Sequence, residues 1–122
     1  MNENQLLFRQ IHPSFIQKGM ITSQAFVPTP KDELKLSCYN GNMISAEEAF
    51  RHFTEKLNQT SSGVLGVSVE ECLSVDLKPV ADADPFPEHA HIPFHNFSSG
   101  SIRKIGQKLR DYAINRGWLF QP

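Results

Sequence analysis

The chain has 122 residues, with 12 Lys and Arg against 13 Asp and Glu, for a formal charge of −1. That length suits a single domain spanning 1–122, and two cysteines, Cys38 and Cys72, are too few for a disulfide scaffold. No apolar run approaches the ~20 residues of a membrane span, and the opening MNENQLLFRQ lacks the basic and long apolar regions of a signal peptide. A cytoplasmic protein without membrane contact is therefore expected.

Residues 6–11 (LLFRQI) read as a strand that ends at His12-Pro13, since a residue before proline is pushed to extended geometry. Residues 20–27 (MITSQAFV) read as a second strand. Ile21, Ser23, Ala25 and Val27 would face one side, and Met20, Thr22, Gln24 and Phe26 the other. An exposed loop over 28–33 leads to a third strand, 34–39 (LKLSCY), closed by a turn at Asn40-Gly41.

The segment Ile44-Ser45-Ala46-Glu47-Glu48 carries a capping box, with Ser45 capping the amide three residues on and Glu48 reaching back. Ala46, Ala49, Phe50, Phe53 and Leu57 then repeat at helical spacing, predicting a helix over about 46–58. The nearly continuous apolar run 64–69 (VLGVSV) predicts a central strand buried on both sides, with Gly66 permitting close approach. A single helical turn over 70–74 and a short strand within 73–80 follow. Residues 82–88 (DADPFPE) form a proline-punctuated acidic loop. Residues 89–94 (HAHIPF) predict an edge strand, because Pro93 cannot donate to a ladder.

A second helix is predicted over about 101–116, with Ile102, Ile105, Leu109, Tyr112 and Ala113 as its apolar stripe. Gly117 takes the C-terminal position, and Trp118-Leu119-Phe120 is expected to fold back on the core. The sum is an α+β fold. About five short strands form a mostly antiparallel or mixed sheet, packed by the two helices; the βαβ rhythm of a doubly wound sheet is absent.

The near-neutral total conceals a split. Residues 99–122 carry Arg103, Lys104, Lys108, Arg110 and Arg116 against Asp111 alone, giving +4, while residues 1–98 carry −5. Lys104 and Lys108 share a helix face, and Arg103 and Arg110 lie two turns apart. Cations so placed can contact phosphates or an acidic protein. The slightly acidic pI of about 6.5 is unlike that of a dedicated nucleic-acid binder, and five basic residues on one helix are common on ordinary solvated faces.

Several segments together resemble a family of small bacterial proteins: Ile11-His12-Pro13, Thr22-Ser23-Gln24-Ala25-Phe26, Leu36-Ser37 and Pro87-Glu88-His89-Ala90, with a closing basic helix. The resemblance runs over most of the chain. It implies a bacterial source and an intracellular setting, brings no activity or cofactor with it, and draws attention to His12, Ser23, Phe26, Ser37 and His89.

Two constellations have chemical potential. Arg9, His12, Ser23, Ser37 and His89 form a candidate catalytic set if the N-terminal strands pair. Serine beside histidine can supply a nucleophile and base, though a third orienting group is normally wanted. Alternatively, Arg9, His12 and His89 can clamp a phosphate and move a proton. Ordinary structural roles would equally occupy these residue types. In the second constellation, His89 and His91 fall on one face of a strand, about 6–7 Å apart, and can ligate one metal ion. The third ligand would be His95, His12, an acid of the 82–88 loop or a cysteine. No Gly-rich phosphate loop is present, and both cysteines read as buried apolar residues.

Two functions are compatible with these features. One is a small accessory or protein-interaction domain within a larger complex or regulatory module. The other is a nucleotide- or phosphate-directed enzyme or ligand-binding domain built on Arg9, His12, Ser23, Ser37 and His89. The two separate on whether His12 and His89 reach one pocket.

Overall fold

A computed structural model describes all residues, Met1–Pro122. The main sheet has five strands: β1 (Leu6–Gln10), β4 (Lys35–Asn40), β5 (Val64–Ser68), β6 (Val80–Ala81) and β7 (His89–Pro93). Their order is β5-β1-β4-β7-β6, and every pairing is antiparallel. A separate two-stranded hairpin joins β2 (Ile16–Gln17) to β3 (Met20–Ile21). Its turn residues Lys18 and Gly19 both take positive φ, 53° and 77°, the geometry that a two-residue hairpin favours. The α+β class stands, with seven strands in all.

Alternation along the strands divides the molecule. Leu7, Leu36, Cys38, Leu65, Val67, Ala90 and Ile92 face the long helix α3 (Ser99–Arg116), whose Ile102, Ile105, Leu109 and Ala113 complete the larger core. The opposite face carries Phe8, Tyr39 and Val64. These pack under Ala49, Phe50, Phe53, Phe86, Leu119 and Phe120 in a smaller aromatic cluster. No helix is long and apolar enough to cross a membrane.

Helix α1 (Ala46–Arg51) starts at the expected capping box, with Ser45 and Glu48 bonded reciprocally. It then widens into a π turn over His52–Lys56, where Thr54 Oγ1 donates back to the Phe50 carbonyl. Such turns shift the phase of the helix face. Phe50 goes against Phe120, while Phe53 and Leu57 turn to the cleft described below. A second capping box, Ser68 with Glu71, opens α2 (Val69–Ser74).

Three expectations need correction. Residues 20–27 do not form one strand: β3 stops at Ile21 and a 3-10 turn runs from Ser23 to Phe26. Ala25 and Phe26 are both fully buried, and a turn can bury two neighbours on one side where a strand sends them to opposite faces. Strand β5 is buried but lies at the sheet edge rather than at its centre. Its cover comes from side chains and the C-terminal segment. Conversely, β7 is internal, between β4 and β6. Pro93 does not expose it, because that residue is the last of the strand.

Candidate functional site

The β1–β4 pairing is short. Leu7 faces Asn40 and Phe8 faces Tyr39, and no further register is shared. Past Phe8 the ladder is replaced by a side chain. Arg9 Nη1 donates to the Ser37 carbonyl at 3.0 Å and Nε to the Ala25 carbonyl at 2.7 Å. The guanidinium also lies 6.0 Å from the centre of the Phe15 ring. Burial pushes its pKa down, with Cys38 and Asp32 acting in the opposite direction; an arginine still keeps its charge at neutral pH. No carboxylate comes within ion-pair distance of it, and its remaining N–H donors have no protein partner.

This end of the sheet opens into a cleft of about 470 Å³, within the range of small-molecule sites. Arg9, His12, Ser37 and His89 all line it, together with the aromatic rings of Phe8, Phe15, Tyr39, Phe53 and Phe86. Four of the five expected residues therefore meet at one place. Ser23 does not join them. It begins the 3-10 turn and lines a different groove with Val27, Pro30 and Arg103. No Asp or Glu lines the cleft, although the chain carries 13.

The two imidazoles are held differently. His12 Nδ1 accepts from the Ser14 amide at 3.0 Å, so the neutral ring carries its proton on Nε2. His89 Nδ1 donates to the Asp82 carbonyl at 3.1 Å, which leaves Nε2 as the basic nitrogen of the neutral ring. One ring thus offers a donor and the other an acceptor. Neither the Ser23 nor the Ser37 hydroxyl hydrogen-bonds an imidazole, so no Ser–His nucleophile is assembled.

His91 shares a face with His89, as expected, and donates from Nδ1 to Asp82 Oδ2 at 3.1 Å. The Asp84 amide, then the two histidines, hold the Asp82 carboxyl below its ordinary pKa. The ring centres of His89 and His91 are 6.4 Å apart. Nowhere do three His, Cys, Asp or Glu side chains form a group that could hold a metal ion. His89 and His91 both bond Asp82, one through its carbonyl and the other through its carboxylate. His95, a candidate third ligand, instead bonds the Glu33 carbonyl.

Three contributors escaped the sequence reading. Tyr39 sits opposite His89, and its hydroxyl is hydrogen-bonded to His52 Nδ1 at 2.8 Å. Burial, then Glu88, push its pKa up, so the phenol remains protonated. Phe86 packs against Tyr39, His52 and His89, with ring centres 5.1, 4.6 and 5.3 Å away. Gln10 is 7% exposed; its Oε1 accepts from Ser61 while Nε2 has no partner. His52, at the junction of α1 and the π turn, reaches Tyr39 from the helix, a segment visible only as an amphipathic helix in sequence. Cys38 is buried, and desolvation, partly countered by Arg9, raises its thiol to about 11. It is not a reactive thiolate.

Arg103, Lys104 and Lys108 lie on the exposed side of α3 and make no ion pair, whereas Arg110 pairs with Asp111 at 3.0 Å. Comparison with protein-family models, curated proteins and solved structures returns no match. The resemblance of Ile11-His12-Pro13 and its companion segments to a bacterial family rests on those residues alone.

Proposed function

We propose that the protein is a small phosphate- or nucleotide-directed ligand-binding domain or enzyme, with the β1–β4 cleft as its site. The observation that carries this reading is Arg9, a cation without a carboxylate partner in an aromatic-walled cleft that contains no acid. A guanidinium so placed is suited to a phosphate, which accepts two hydrogen bonds and restores charge balance. His12 contributes a hydrogen-bond donor, and His89 can take or return a proton. Ser37 contributes a hydroxyl at the mouth.

Pyrophosphate titration followed by calorimetry tests the reading. Arg9→Gln keeps a donor for the Ser37 or Ala25 carbonyl and removes the charge. It is expected to weaken binding by about tenfold or more, from the ~1.5–3 kcal/mol of a charged hydrogen bond. Unchanged pyrophosphate affinity in a folded Arg9→Gln variant would refute it.

A second reading, an accessory domain of a bacterial cytoplasmic complex, is supported by the unpaired Arg103, Lys104 and Lys108. An acidic protein surface or a nucleic-acid backbone would satisfy them. Reversing all three to Glu should abolish co-purification of a partner from the native host while leaving pyrophosphate binding intact. Co-purification that survives the reversal counts against this surface.

A further inference from the structure

Resting on the phosphate reading, we propose that the ligand is a nucleoside phosphate, with its phosphate at Arg9 and its base laid against Phe86. The cleft has two chemically distinct parts. Arg9, His12 and Phe15 gather at one, with the His12 and Phe15 rings 6.2 Å apart. Tyr39, Phe86 and His89 gather at the other. Ser37, whose carbonyl anchors Arg9, and Tyr39, which packs on Phe86, are two residues apart on β4. The residues that anchor the two parts are thus about 6–7 Å apart at the backbone, a separation that a sugar can bridge.

Inorganic phosphate or a sugar phosphate would occupy the cationic part and leave the aromatic part without a ligand. A wholly apolar aromatic anion would fill both, but it would offer nothing to the polar groups. Gln10 Nε2 lacks a partner in the protein, and the Ser37 hydroxyl makes no hydrogen bond. A nucleoside carries acceptors and donors on both sugar and base that answer such groups. Phe86 is also a preorganised platform, since three neighbouring rings fix its position. Flat bases stack on an aromatic side chain with little dependence on base identity.

Calorimetric titration of AMP, GMP, CMP, UMP, ribose 5-phosphate, adenosine and pyrophosphate tests the assignment. The wild type is compared with Arg9→Gln and Phe86→Leu. The leucine keeps bulk in the cluster and removes the flat face, and thermal unfolding verifies that each variant is folded. The expected result is at least one nucleoside monophosphate binding about tenfold or more tightly than ribose 5-phosphate. Phe86→Leu should erase that advantage without weakening pyrophosphate. If none of the four binds better than ribose 5-phosphate, while pyrophosphate binding depends on Arg9, the base seat is overturned and the phosphate reading survives. If adenosine matches AMP and Arg9→Gln changes neither, the phosphate reading itself falls. Absence of binding by every probe overturns both.

Discussion

Glu71 shows how one side chain ties three elements together. Its carboxylate accepts two bonds from Arg116 at 2.9 Å and one from the Ser68 amide at 2.8 Å. Burial alone would raise its pKa. The Arg116 and Ser68 bonds outweigh that effect and hold it below 4.5. Between that ordinary value and the depressed folded value, the unfolded chain binds the extra proton, so stability rises with pH. The contribution is complete above about pH 4.5 and is lost as pH falls through the folded value. Melting curves of the wild type and Glu71→Gln should therefore converge on acidification. A difference in melting temperature that is constant down to about pH 3 would show that the carboxylate charge does not matter. At this scale the cleft was partly legible. Arg9, His12, Ser37 and His89 are residue types that phosphate and proton chemistry uses, although ordinary structural roles use them equally. Tyr39 and Phe86 were not, because their roles depend on the Tyr39–His89 register and the path of the 82–88 loop. Ser23 was misassigned with its strand.

At the level of elements, the capped start of α1 was legible because its signal is local. Ser45 with Glu48 acts within one turn of chain. Strand positions were not, since edge or centre is decided by partners distant in sequence. The 20–27 segment joins the two cases: its 3-10 turn exists where α3 presses on it. Gly106 makes that approach possible. A Cβ there would sit 2.4 Å from Val27 Cγ2 and 3.4 Å from the Ser23 carbonyl oxygen. A valine at a turn end has little χ1 freedom with which to yield. Alanine gains up to ~1 kcal/mol in helix propensity, against an overpacking cost of ~1–3 kcal/mol. Gly106→Ala is thus expected to lower stability by up to about 2 kcal/mol in denaturant unfolding. A stabilised variant would mean that α3 and the turn can separate without loss.

For the molecule as a whole, the main risk is the exposed edge of the five-stranded sheet. An unpaired edge invites another chain to add a strand. The protein covers β5 with pieces drawn from α2, from its last helix and from the residues beyond. The Val64 amide donates to the Phe120 carbonyl, and the Leu119 amide donates to the Val64 carbonyl, both at 2.9 Å. Arg116 takes the Gly66 carbonyl, and Glu71 takes the Ser68 amide. Leu119 lies over Gly66 so closely that a Cβ there would fall 2.6 Å from its Cδ1. Trp118, Leu119 and Phe120 thereby carry the chain around the edge, from the α3 side to the aromatic cluster that includes Phe50. Removing residues 118–122 should free the Val64 backbone groups and uncover Phe50 at once. The expected outcome is concentration-dependent association, seen by light scattering, with α3 retained in circular dichroism. Leu119→Ala separates the two contributions, because it keeps the backbone bridge while losing the apolar cover. If that variant stays monomeric and the truncation associates, backbone pairing protects the edge. If both associate equally, the side-chain cover does; a monomeric truncation would show that Arg116 and Glu71 suffice.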